Sequence, residues 1–222
     1  MAANPHPIRP WTEAEPAPAP PPWPFVHLNF ALCADGAVTS GDGVISSAAD
    51  WRRVHRLRER YDAIAIGART WEADRPLLTV RPERLGREPR RQPQRVIFGG
   101  RRACAVLPDG RPTFLIGACW EEAEGTVAEG TVAIPARGRL LHDPLAALRR
   151  HGVRSLLVEG GPLLLRSFMS QGFCDRLTVF VRTDCPAGAA RAVRRVIPEP
   201  PPLRARSFGG GILLSWRPTQ TP

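Results

Sequence analysis

Ser155-Leu156-Leu157-Val158-Glu159-Gly160-Gly161-Pro162-Leu163-Leu164 reads as a buried strand, a two-glycine turn and the opening of a helix that runs from Leu163 to Gln171. A short, unbroken apolar run closed by turn residues is the mark of a strand covered on both faces. Glycines between strand and helix let the backbone approach a phosphate, and the helix N-terminus offers free N–H donors and the positive end of its dipole. A Gly-Gly pair serves a plain tight turn equally well, so the flanking pattern has to arbitrate.

Working outward, the same alternation recurs. Phe25 to Leu32 is an apolar run after Pro24 and before Asp35-Gly36, which suits a strand ending in a turn. Ser46-Ser47 precede Ala48 to Arg60, where Trp51, Val54, Leu57 and Tyr61 recur at helical spacing behind a serine cap. Asp62 to Gly67 is a second strand, leading into the glycine turn Gly67-Ala68-Arg69-Thr70 and then the turn Asp74-Arg75-Pro76. Gln94 to Phe98, Thr113 to Gly117 and, weakly, Thr131 to Ile134 are further strands, and Arg81 to Pro93 is one exposed loop. A helix begins at Asp143 with Pro144 at its first position and runs to Arg150. Arg176 to Arg182 and Gly211 to Trp216 close the set as an antiparallel edge. Strands alternating with helices predict a three-layer αβα sandwich around a mostly parallel sheet. Ligands of such sheets sit beyond the carboxyl ends of the strands. Chemistry is therefore sought at Asp35-Gly36, Gly67 to Thr70, Gly99 to Arg102 and Glu159 to Leu164.

A chain of 222 residues with 43% hydrophobic and 23% charged residues has the mix of a globular domain and excludes collagen-like, coiled-coil and wholly disordered classes. No apolar run approaches the ~20 residues of a membrane span. The net charge of +10 comes from arginine alone, since lysine is absent. That bias, with abundant Ala, Gly and Pro, reflects a GC-rich coding sequence more than a function, and the arginines lack the aromatic interleaving of a nucleic-acid platform. Five cysteines without a C-x-x-C pair or zinc-spaced histidines predict neither a disulfide framework nor a metal site. Residues 1–24, interrupted by nine prolines, read as a disordered or polyproline tail without the apolar core of a secretory signal. The expected organisation is that tail, one domain over 25–217, and a short tail over 218–222, in a cytoplasmic protein.

Several runs, in order, resemble one family. They are Asn29-Phe30-Ala31-Leu32-Cys33-Ala34-Asp35-Gly36, Asp42-Gly43-Val44-Ile45-Ser46, Arg53-Val54-His55-Arg56-Leu57-Arg58, Asp62 to Thr70, Ala73-Asp74-Arg75-Pro76-Leu77-Leu78-Thr79-Val80-Arg81 and Val158 to Pro162. Together they resemble the riboflavin-pathway pyrimidine reductases, in their stand-alone form and as the C-terminal domain of bifunctional RibD. The resemblance implies a dihydrofolate-reductase-like fold, a homodimer, and reduction by NADPH of the ribosylamino side chain of a 5′-phosphorylated diaminopyrimidinone, or its deaminated uracil form, to ribitylamino. Asn29 is like the stand-alone type, the fused domain usually having Lys there.

The same resemblance implies a site. Glu159 and Asp74 would be catalytic. Asn29, Asp42, Ser46, Arg58, Leu78 and Arg81 would bind substrate, with Arg58 and Arg81 on the 5′-phosphate, a task suited to the guanidinium fork. Ala31, Val44, Gly67, Thr70, Gly100 and Arg101 would bind the cofactor together with Gly160, Gly161, Pro162, Leu163 and Leu164. Arg101 and Arg102 would hold the 2′-phosphate of NADPH. The chemistry itself is hydride transfer to C1′ of the opened ribosylamine, which asks the protein for positioning and charge stabilisation but no nucleophile.

The chain departs from the pattern at Cys33-Ala34, at Arg75 in place of a second Asp, and at Gly100 where a Ser is usual. Asp35 reads as a turn-shaping residue. The alternatives are a same-fold reductase acting on another pterin or pyrimidine, and a non-catalytic nucleotide-binding relative. Neither H-x-E nor P-C-x-x-C occurs, so no zinc deaminase step is expected on this chain.

Overall fold

The computed structural model describes residues 22–38, 45–99, 109–117, 130–136, 138 and 140–218. Its elements in chain order are β1 (Phe25–Cys33), α1 (Ala48–Arg60), β2 (Ala63–Gly67), α2 (Ala68–Asp74), α3 (Pro82–Leu85), β3 (Gln94–Phe98), β4 (Thr113–Gly117), β5 (Thr131–Pro135), α4 (His142–Arg150), β6 (Ser155–Val158), α5 (Pro162–Ser170), β7 (Arg176–Arg182), α6 (Pro186–Val196), β8 (Arg204–Phe208) and β9 (Gly211–Trp216). They form one sheet in the order β5-β4-β3-β2-β6-β1-β7-β9-β8. From β5 to β7 every pairing is parallel, and β9 runs antiparallel to both β7 and β8.

From β1 the chain winds through β2 to β3 and β4, then returns through β6 and β7. Crossovers of one hand put the helices of the two journeys on opposite faces. The core divides accordingly. Val26, Leu28, Phe30 and Leu32 of β1 pack with Leu145 and Leu148 of α4, Leu165 and Phe168 of α5, and Ala189 and Val193 of α6. On the other face Ile64 and Ile66 meet Trp71 of α2, while Phe25 and Leu157 meet Leu57 of α1 and Tyr61 just beyond it. Here lies the expected αβα sandwich, with β6 inserted at the reversal between β1 and β2.

Local signals explain most boundaries. Ser47 caps α1, its hydroxyl accepting the Asp50 N–H at 3.2 Å, and Arg58 and Arg60 sit at the negative end of that helix. Asp35 shapes the turn after β1, as expected: its carboxylate accepts the Ala37 N–H at 2.9 Å, and Gly36 takes a φ of 86°.

Three expectations need correction. Pro144 is the third residue of α4, which begins at His142. The loop over Arg81 to Pro93 contains α3, begun by Pro82. Gly67 to Thr70 is no turn, since α2 starts directly off β2 with Gly67 extended at φ −79°. The antiparallel pairing expected of Arg176 to Arg182 with Gly211 to Trp216 is present as β7 with β9, and β8 extends it antiparallel to β9 at the sheet's edge; β8 and α6 are additions to the expected set. Trp23, assigned to the tail, packs edge-on against His142 and Phe173 at centroid distances of 4.9 and 5.4 Å.

Candidate active site

The reversal of winding places the ends of β2 and β6 side by side. Glu159 continues the ladder, its N–H donating to Ala65 O at 2.9 Å. Gly160 follows in a tight place, since a Cβ there would stand 3.2 Å from Ile66 Cγ2 and 3.4 Å from Thr70 Cγ2. Gly161 adopts φ +77°, and its Cβ would meet Thr70 Oγ1 at 3.2 Å. The turn is thus pressed against α2 by two glycines for two different reasons, close approach and a left-handed backbone. No side chain caps α5, and Pro162 stands in its first turn. The first intrahelical bond runs from Leu165 N to Gly161 O, so the N–H groups of Leu163 and Leu164 point out of the helix end unpaired within it. This is the geometry that receives phosphate. Gly161→Ala is expected to destabilise the fold by about 1–2 kcal/mol through backbone strain. Thermal unfolding measures it, and adding Thr70→Ala should recover only the steric share.

Glu159 and Arg58 form a fork. Arg58 Nε lies 3.0 and 3.1 Å from the two carboxylate oxygens and Nη2 lies 2.7 Å from Oε2. Its Nη1 donates to Thr79 O at 2.9 Å. All three nitrogens of Arg58 therefore serve protein acceptors, clamping Glu159 and the segment before α3, and one N–H on each of Nη1 and Nη2 is left beyond these bonds. Charge-assisted bidentate pairs are strong and directional, and the two side chains are only 12% and 9% exposed.

Behind the clamp, β1, β7 and α1 share a buried polar chain. Tyr61 O–H donates to His27 Nδ1 at 2.7 Å, and His27 Nε2–H donates to Thr178 Oγ1 at 2.8 Å. The Thr178 hydroxyl donates to Asn29 Oδ1 at 2.8 Å, which also accepts Arg53 Nη2–H at 2.9 Å. Arg53 Nε donates to Asp50 Oδ1 at 2.8 Å. Arg53 can only donate, which makes Asn29 Oδ1 the acceptor of the Thr178 hydroxyl, Thr178 Oγ1 the acceptor of His27 Nε2–H, and His27 Nδ1 the acceptor of Tyr61. Burial and the positive charges of Arg176, Arg53 and Arg217 hold the His27 imidazole well below its ordinary pKa. Asn29, expected to touch substrate, has its oxygen committed inward and is 3% exposed.

The other expected residues are placed as follows. Thr70 and Gly67 lie against the glycine turn, the latter facing Leu164. Asp74 is exposed at the end of α2. Arg75 caps that helix in the left-handed region at φ 42°, its guanidinium 5.9 Å from the Trp71 ring centroid. Leu78, expected against substrate, is buried with Trp71 and Ile97, at φ 50°. Arg81 is exposed at the start of α3, Ala31 is half-buried in β1 and Ser46 precedes the α1 cap. Asp42, Val44, Gly100 and Arg101 lie outside the described residues. Sequence reading missed His55, Gln92 and Arg111, which hold the segment before α3 from positions distant in the chain. Only His55 fell within a quoted run.

Parallel strands wound both ways, with a two-glycine turn into an uncapped helix at the reversal and a clamped carboxylate beside it, define an α/β domain of the nucleotide-binding class. The family described as the RibD C-terminal domain matches residues 24–183, and the chain belongs to that family. The 2,5-diamino-6-ribosylamino-4(3H)-pyrimidinone 5′-phosphate reductase of Methanothermobacter thermautotrophicus is 36% identical over 169 residues, covering 71% of this chain and 77% of the relative. The protein of the same name from Archaeoglobus fulgidus is 34% identical over 176 residues, with 71% and 79% covered. Among solved structures, the Thermotoga maritima diaminohydroxyphosphoribosylaminopyrimidine deaminase/5-amino-6-(5-phosphoribosylamino)uracil reductase superposes with a TM-score of 0.67 at 23% identity, over 89% of this chain and 57% of that one. The riboflavin biosynthesis reductase of Saccharomyces cerevisiae gives 0.62 at 15% identity, over 90% and 91%. These structures bear on the fold and agree with the dihydrofolate-reductase-like sandwich. The chain spans about half the length of the bifunctional RibD proteins, 46% of the Aquifex aeolicus one for instance.

Proposed function

We propose that this chain reduces the ribosylamino side chain of a 5′-phosphorylated diaminopyrimidinone to ribitylamino, using NADPH, as a homodimer. The observation that carries the reading is Glu159, held by Arg58 at the end of β6 and adjoining an uncapped helix N-terminus. The residues fit a nicotinamide dinucleotide: Gly160 and Gly161 bring the backbone close, and the N–H groups of Leu163 and Leu164 take its pyrophosphate. A reduced nicotinamide held there would supply a hydride to C1′ of the ring-opened imine, the C1′=N π electrons passing to the exocyclic nitrogen, which would take a proton.

The remaining work is positioning. The Glu159 carboxylate accepts hydrogen bonds from the pyrimidine edge or the ribityl hydroxyls. Arg81, exposed and with no side-chain partner among the described residues, takes the 5′-phosphate, with the remaining Nη N–H groups of Arg58 beside it. Asp74 lies beside Arg75 and orients the ribose. The choice of NADPH over NADH rests on Arg101 and Arg102 in the sequence and the general use of arginine for a 2′-phosphate. Two names stand among the relatives, and they differ in whether the pyrimidine still carries its 2-amino group.

The test follows loss of reduced-nicotinamide absorbance with the diaminopyrimidinone and the uracil 5′-phosphates, each with NADPH and with NADH. Oxidation of NADPH that requires the 5′-phosphate is the expected result. Binding of NADPH with no oxidation on either pyrimidine would leave a nucleotide-binding relative as the better reading.

A further inference from the structure

The segment Arg75 to Arg81 joins α2 to α3 outside any sheet or helix, so its backbone groups must find partners elsewhere. Side chains supply them in sequence. Arg111 donates to Leu77 O, and to Leu78 O at 2.9 Å. Arg58 donates to Thr79 O at 2.9 Å. Gln92 pairs Val80 on both sides, accepting its N–H and donating to its carbonyl, each at 2.8 Å. His55 Nδ1 accepts the Arg81 N–H at 2.9 Å.

Arg81 is consequently held from both directions. Its N–H goes to His55, and its carbonyl accepts the N–H groups of Arg84 at 3.1 Å and Leu85 at 3.0 Å to begin α3. The Cα–Cβ direction is set while the guanidinium stays exposed. His55 and Arg58 lie three apart on α1, hence on one face of that helix. One grips Arg81 and the other grips Glu159, so α1 acts as a ruler between the two proposed substrate contacts.

We propose that His55 is a positioning residue that aims Arg81 at the substrate's 5′-phosphate by accepting the Arg81 N–H at Nδ1. The proposal rests on the reading that Arg81 binds that phosphate. A chemical condition supports it: Nδ1 accepts only while it carries no proton. Burial, with the charges of Arg58, Arg81 and Arg84 around it, lowers the imidazole pKa to about 3, and Trp51 covers it from the preceding turn at a ring distance of 6.0 Å. The acceptor is available throughout the neutral range. A residue that filled space alone would need no such environment.

The test compares kcat and KM for the phosphorylated substrate and for its dephosphorylated counterpart, in wild type and in the His55→Phe, His55→Gln, His55→Asn and Arg81→Ala variants. His55→Phe keeps a flat ring without the acceptor, and His55→Gln carries its amide a methylene too far; either serves should the other fold poorly. Both are expected to raise KM for the phosphorylated substrate about tenfold with kcat within about twofold, and to leave KM for the dephosphorylated compound unchanged. His55→Asn, whose Oδ1 stands where Nδ1 did, should return KM to within about threefold of wild type. In the Arg81→Ala background His55→Phe should add nothing. Equal changes on both substrates, or no rescue by Asn, would overturn the proposal. If Arg81→Ala itself leaves KM for the phosphorylated substrate untouched, it is the phosphate assignment that fails.

Discussion

Arg58→Met and Glu159→Gln should each lower kcat/KM by about a hundredfold or more, because each removes half of the fork that, on the proposed function, presents the carboxylate to substrate. The stability effects differ, and that difference is diagnostic. Arg58→Met strands a carboxylate that is 9% exposed and should destabilise the fold by about 3 kcal/mol, the size found when one member of a buried pair is removed. For a domain of this length that is a fall of roughly 6–12 °C in thermal midpoint. Glu159→Gln keeps an oxygen for the guanidinium and should cost about half as much. The double variant should be no less stable than Arg58→Met alone, since no charge is then left without its partner. Additive losses in stability would show that the two side chains are not coupled as the fork requires.

Acid is expected to act through the two buried histidines before it reaches the carboxylates. His27 is fully buried between Tyr61 and Thr178, with its pKa held well below 6.5; that of His55 is lowered to about 3. In the unfolded chain both titrate near 6.5. Below that value the unfolded state binds protons that the folded state refuses, so stability is full above about pH 7 and declines as pH falls. From pH 7.5 to 5.0 the two sites together should remove about 4 kcal/mol, as two protons taken up only on unfolding. Urea unfolding at the two pH values measures it, and His55→Phe should remove about half of the dependence. A flat profile over that interval would mean that both imidazoles are already charged in the folded protein, and half the expected loss that one of them is.

The parts of the site differ in how far they were legible. Glycine turns and apolar runs are local, so the strand ending at Val158 and the Gly160-Gly161 turn were visible, as was the serine cap of α1. The α6 helix was missed although Ala189, Ala192, Val193 and Val196 recur at helical spacing behind Pro186; its alanines make a weak apolar signal. The β8 strand, Arg-Ala-Arg-Ser-Phe, is mostly exposed at the sheet's edge and carries no apolar alternation to read. Nothing in the sequence tells Arg58 from Arg81, and only packing separates them: one is clamped to Glu159, 101 positions away, and the other is left exposed.

The sequence by itself determined the alternation of strands and helices, the sandwich they imply, the two-glycine turn after β6, and, through its ordered motifs, the family to which the chain belongs. These follow from interactions between residues a few positions apart, whose chemistry is written in the order of the chain. The tertiary structure alone decided that β6 slides between β1 and β2, that Arg58 spans Glu159 and Thr79, and that His55 grips Arg81. Such pairings depend on the register of strands and the rotation of α1 over the sheet. Both are set by the packing of the whole core, which no local run of residues records.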